Sequence, residues 1–132
     1  MNKKLVNPPE LFDGSPFGMS QAVCDLDSKL VFISGQIDWN QEYQTSESSV
    51  EGQTKKALKN LQIALEAANS SVDNLLQIRI YIRGELGDYI DVLAPILSIF
   101  FGESRPAVTG IGVASLASPE TLVEIEAIAK SK

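Results

Sequence analysis

Two alternating stretches of this chain place opposed charges where chemistry could occur. In Leu76–Arg83, Ile78, Ile80 and Ile82 fall on one face, leaving Gln77, Arg79, Tyr81 and Arg83 on the other. In Leu122–Ala129, Val123, Ile125 and Ala127 suit a buried face, which leaves Glu124 and Glu126 opposite. If both strands share a sheet, carboxylates, guanidiniums and a phenol meet on one surface. Such groups can orient water or move a proton, or they can neutralise one another as ion pairs. What the chain lacks narrows the choice further. It has no histidine and a single cysteine, Cys24. Ser-His-Asp and Cys-His catalysis, His-based nuclease chemistry and His-ligated metals are excluded, and one chain cannot build a thiolate zinc site. Acid–base work falls to Asp, Glu, Tyr, Lys or water. Cys24 lies in a predicted strand and reads as packing, and Tyr81 reads as packing before catalysis.

The elements that must position these residues fit one domain spanning residues 1–132. A chain of 132 residues with 44% hydrophobic content can bury an ordinary core. No apolar run approaches the ~18 residues of a membrane span. The opening Met1-Asn2-Lys3-Lys4-Leu5-Val6-Asn7-Pro8-Pro9 has no apolar h-region, so no signal peptide is expected. One cysteine allows no internal disulfide, which fits a cytoplasmic location. A net charge of −6 argues against nucleic-acid binding. Lys55, Lys56 and Lys59 are the nearest approach to a basic patch and read as a solvated helix face.

Residues 7–18, rich in Pro, Gly, Ser and Asp, read as an irregular lead-in. Met19–Cys24 and Leu30–Ser34 read as a hairpin of strands, and 35–47 as a loop. Ser48-x-x-Glu51 has the form of a capping box. Val50, Thr54, Ala57, Leu58, Leu61, Ala64, Leu65 and Ala68 follow at helical spacing, ended by Asn69-Ser70-Ser71. A second helix is predicted over Asp88–Phe101, capped by Asp88, kinked at Pro95 and stopped by Gly102. Val108–Val113 and Leu122–Ala129 complete the order β-β-α-β-α-β-β. This implies an α+β domain, one mixed sheet with both helices on one face. The opposite face, with Phe32, Tyr81, Met19, Glu124 and Glu126, has no helix left to cover it and is a candidate assembly surface.

Several segments carry a resemblance. Phe32-Ile33-Ser34-Gly35-Gln36-Ile37, Pro106-Ala107 before a strand, and Val123-Glu124-Ile125-Glu126-Ala127-Ile128-Ala129 resemble the blocks of the RidA/YjgF family, also called endoribonuclease L-PSP. Phe17–Val23 is similar to its opening strand and Tyr89–Phe101 to its second helix, so that about residues 17–129 match in order. The resemblance implies a chorismate-mutase-like fold, a homotrimer with inward-facing sheets, and small-molecule clefts between subunits. No cofactor is expected, and the lack of histidine with a single cysteine leaves no metal site expected. Active members hydrolyse 2-imino or enamine acids to 2-keto acids and ammonia. An arginine after the Pro-Ala pair clamps the substrate carboxylate, and a strand glutamate positions water.

Carried over residue by residue, the Ser-Gly pair falls on Ser34 and Gly35, and the glutamate on Glu124. The arginine position falls on Val108, an aromatic hydroxyl near Met19, a cysteine on Gly110 and an asparagine near Gly87. Arg105, across Pro106 from Val108, is a substitute clamp or a solvated loop residue. The resemblance therefore implies a ligand-binding member without 2-imino acid deaminase activity. The alternative is an imine or enamine deaminase acting on a neutral or atypical substrate, with Glu124 handling water.

Overall fold

The computed structural model describes residues 2–132. Its strands are β1 (Lys3–Val6), β2 (Ala22–Asp25), β3 (Leu30–Gln36), β4 (Leu75–Arg83), β5 (Ala107–Val113) and β6 (Val123–Lys130). They form one sheet in the order β1-β2-β3-β6-β4-β5. Only β4 and β5 pair in parallel; every other neighbouring pair is antiparallel. The helices are α1 (Val50–Ala67) and α2 (Ile90–Phe101).

Helix α1 forms where the apolar stripe requires it. Val50, Thr54, Ala57, Leu58, Leu61, Ala64 and Leu65 are all buried, and they pack on β6 and β3. Each fully buried aliphatic side chain contributes roughly 1.5–3 kcal/mol. The facing sheet residues are Val31, Ile33, Ile78, Ile80, Ile82, Val123, Ile125, Ala127 and Ala129, in one continuous core. The alternation of β4 and β6 thus predicts the buried face correctly.

Four local expectations need correction. The cap of α1 is Ser49, whose hydroxyl accepts from the Gly52 amide at 3.0 Å; Ser48 lies one residue outside. The helix starts at Val50 because that residue enters the core. Asp88 caps nothing: it ends a 3-10 turn, Leu86–Asp88, and Tyr89 precedes α2 without a side-chain cap. Met19 is not in a strand. Its amide donates to the Gly14 carbonyl at 3.2 Å after a turn through Gly18, and β2 starts only at Ala22. The order also gains a strand, β1, which pairs with β2. Only Val6 of β1 is buried, so its sequence carries no alternation to read.

Pro95 does sit inside α2, and Gly102 ends it with φ of 55°. Of α2 only Leu93 and Phe101 are buried, because it lies beside α1 at the margin of the sheet. No helix among the described residues is long and apolar enough to cross a membrane.

Candidate functional site

Strand β3 breaks its register against β6 between Ile33 and Gln36, so Ser34 and Gly35 form a bulge. Such an irregularity bends the strand and re-aims its neighbours. The Ser34 amide donates to the Gln21 carbonyl at 2.9 Å and its hydroxyl to the Ser20 carbonyl at 2.6 Å. Below, Gln36 donates to the Gln21 side chain at 2.9 Å, and Gln21 to the Phe12 carbonyl at 2.8 Å. Both glutamines are buried, so the bulge rests on a satisfied polar network.

Glu124 lies on that bulge. A Cβ added at Gly35 would stand 2.5 Å from Cδ of Glu124 and closer still to Oε2. Glycine lets the carboxyl rest in the space of a side chain; a larger residue there would push the Glu124 carboxyl aside. The Glu124 carboxylate has no hydrogen-bond or ion-pair partner among the described residues. Burial, then the charge of Glu126, holds its pKa above the ordinary carboxyl value.

Glu126 is occupied. Arg79 lies 3.7 Å from its Oε1, and the Tyr81 hydroxyl donates to the same oxygen. That bond, then burial, raises the Tyr81 pKa. Tyr81 stands beside Glu124 and Arg79 beside Glu126 across β4 and β6. The expected pairing on this face is therefore real for Arg79 and Glu126. Arg83 does otherwise. It donates to the Pro119 carbonyl and to the Ser118 carbonyl at 3.1 Å, binding the approach to β6 rather than a carboxylate.

The other carried-over positions form a second group. Val108 and Gly110 stand beside Ile78 and Ile80 in the parallel β4–β5 pairing, which places them on the helix-bearing side of the sheet. A Cβ at Gly110 would meet the Leu86 side chain, and Gly87 follows Leu86 in the 3-10 turn. Val108 is 47% exposed on this edge strand. Arg105 is exposed, with φ of 43°, at the foot of β5. It precedes by six positions Ile111, the residue on the Tyr81–Glu124 rung. That is about 15–20 Å along the strand.

The structure thus divides the expected site. Ser34, Gly35 and Glu124 meet on the open face, with Met19 one residue from the carbonyl that holds Ser34. Val108, Gly110 and Gly87 lie across β4 on the opposite face. One chain cannot bring the two groups together through its own sheet.

Two positioning residues carry no motif and were not legible in the sequence. Gln53, fully buried on α1, donates to the Glu47 and Glu120 carbonyls at 2.9 and 2.8 Å and accepts from the Leu122 amide at 2.7 Å. It fixes the entry to β6 and so the height of Glu124. Asp38 accepts from the Ser46 amide and hydroxyl and the Glu47 amide, closing the 38–47 loop. The only sequence sign of Gln53 was a polar residue beside an apolar stripe.

A small cavity of about 270 Å³ lies on the open face between Phe32, Arg79 and Glu126. A larger groove of about 900 Å³ runs between α1 and α2, lined mainly by apolar side chains such as Leu58, Val92 and Ile96.

A mixed six-stranded sheet backed by two helices, with a glycine bulge under a strand carboxylate, defines an α+β domain of chorismate-mutase-like architecture. The family model for endoribonuclease L-PSP matches residues 16–131, and the chain belongs to this RidA/YjgF family. A RutC family protein of Pyrococcus abyssi is 31% identical over 100 residues, covering 75% of this chain and 76% of that protein. A putative regulator, AldR, of Lactococcus lactis is 34% identical over 104 residues, covering 78% and 80%. A putative endoribonuclease structure from Thermotoga maritima superposes with a TM-score of 0.86 at 28% identity, covering 98% of each chain.

Proposed function

We propose that this chain binds a small molecule in clefts between the subunits of a homotrimer, without 2-imino acid deaminase activity. The division of the site carries the first half of this reading. The Glu124–Gly35 group and the Val108–Gly110 group lie on opposite faces of one sheet, so a cleft using both needs a second copy. The exposed sheet face with Phe32, Arg79 and Tyr81, which no helix covers, is the surface for that contact. A cytoplasmic location fits the single buried Cys24.

Val108 carries the second half. A carboxylate entering a half-buried cleft needs a paired cation, and each charge-assisted hydrogen bond contributes about 1.5–3 kcal/mol. Losing a bidentate clamp lowers kcat/KM by roughly 10²–10⁴. Val108 offers no donor, Met19 and Gly110 add no charge, and Arg105 is too far along β5 to serve Glu124 of its own chain. The test is an amino-acid oxidase that generates 2-iminopropionate, coupled to semicarbazide trapping. Wild type should show little or no turnover, and Val108→Arg should restore part of it. Wild-type turnover equal to that of an arginine-containing family member would sink the reading, and Arg105→Ala would then identify the substitute.

The unpartnered Glu124 carboxylate favours one second reading, an imine or enamine hydrolase in which Glu124 orients water for a neutral or atypical substrate. Turnover of such a substrate that Glu124→Gln abolishes would establish it. RNA is a poor ligand for a chain of net charge −6 without histidine, despite the family description. Gel retardation at low salt should show no binding.

A further inference from the structure

Arg79 is held at 3.7 Å from Glu126, which also accepts the Tyr81 hydroxyl. Arg83 is held by the Ser118 and Pro119 carbonyls. The Ser34 hydroxyl is turned inward to the Ser20 carbonyl. Glu124 is the open-face carboxylate left without a donor among the described residues, part-buried on the bare backbone of Gly35. Across the divided site, Val108, Gly110 and Gly87 supply no positive charge either. A half-buried anion without a donor is costly, and a ligand that donates to it removes the cost. A ligand with its own carboxylate would set a second anion beside Glu124, and Val108, where the family's clamp would stand, offers it no cation.

Building on the cleft reading above, we infer that the ligand seated on Glu124 is a cation: a protonated amine, amidine or guanidine with no carboxylate of its own. The carboxylate lies against β3 with both oxygens unbonded, so it can accept two parallel N–H donors, the geometry of an amidinium. The glycine is what permits that approach, since any side chain at position 35 would displace the acceptor.

The experiment uses the full chain at neutral pH and low salt, with benzamidinium and n-butylammonium set against benzoate and butyrate. Amide shifts of Ser34, Gly35 and Glu124 report the site. Light scattering on the same samples reports assembly. Benzamidinium should move these amides saturably while benzoate leaves them in place. Glu124→Gln should weaken benzamidinium at least about tenfold, the loss of one charge-assisted bond, while Glu66→Gln, an exposed change on α1, leaves it unaltered. If benzoate or butyrate moves Gly35 and the cations do not, the ligand class is wrong while the cleft reading stands. Benzamidinium binding that Glu124→Gln leaves intact also overturns the inference. If no probe moves these amides in an assembled protein, both the inference and the cleft reading fail.

Discussion

The two faces of the sheet are drawn from the same strands by the same alternation, yet they are finished differently. On the helix side, Ile78, Ile80, Ile82, Val123 and Ile125 are buried within the chain, and their packing is complete. On the open side, Phe32 is 46% exposed, Arg79 and Glu126 pair at the surface, and Glu124 has no partner among the described residues. One face closes a core and the other is left uncovered by any helix. Residues that hold the fold thus stand apart from those left free at the surface. The alternation also explains how Glu124 and Val108 came to stand on opposite sides of one wall.

The largest expected effect lies on the closed face. Leu61 is fully buried between α1 and the sheet. Leu61→Ala should cost about 2–5 kcal/mol, the range for a buried leucine truncated in a packed core. Denaturant unfolding measures it. A loss below about 1 kcal/mol would mean the helix side is no better packed than the open side, and the contrast would collapse.

On the open face, a comparable change should act on assembly instead. Phe32→Asp places a charge at a half-exposed position opposite Ile128. The isolated domain should lose less than about 1 kcal/mol, the ordinary range for a surface substitution. The molar mass should fall from three copies toward one, near 14.3 kDa. If wild type already scatters as a single copy at micromolar concentration, the open face is no assembly surface. If Phe32→Asp unfolds the chain outright, that side chain belongs to the core and not to an interface.

This contrast also sets what the sequence could reveal. Period-two alternation in β4 and β6 and the helical stripe of α1 are signals of burial, and burial decided both. Alternation implied that some of Arg79, Arg83, Glu124 and Glu126 would pair, because residues on one face of neighbouring strands are within reach; that Arg79 and Glu126 do so needed the β4–β6 register. The positions of Met19 and of the two helix caps did not, since each depends on where a turn ends, and a single residue of slip moves it. Strand β1 was illegible because an edge strand with one buried residue has no pattern. Gln53 and Asp38 were illegible for a different reason. Their roles are set by carbonyls and amides far away in sequence, as when Gln53 reaches Glu120 and Leu122. The division of the site across the sheet required the parallel β4–β5 pairing, which composition and spacing do not specify.

The smallest expected effect is the sharpest test of the open face, because its sign is opposite to that of most substitutions. Burial, then Glu126, raises the Glu124 pKa above 4.5 in the folded chain. The folded state therefore binds this proton more tightly than the unfolded state does. The resulting stabilisation is fully present below the ordinary carboxyl pKa and is lost as pH rises through the raised value. At neutral pH the ionised carboxylate is a net cost. Glu124→Gln removes that cost, so the variant should be more stable than wild type near pH 7.5. Its stability should also change less between pH 4 and pH 7. The gain should stay below about 1 kcal/mol, because the group is part-exposed and solvent screens it. Thermal unfolding across that pH range measures both. Repeating it in the Phe32→Asp background separates burial within one chain from burial by a partner copy, which should enlarge the effect. A Glu124→Gln protein less stable than wild type at pH 7.5 would mean the carboxylate has found a donor in the assembled protein. The case for a cationic ligand would then lose its premise, because the site would already hold the positive charge that the ligand was inferred to bring.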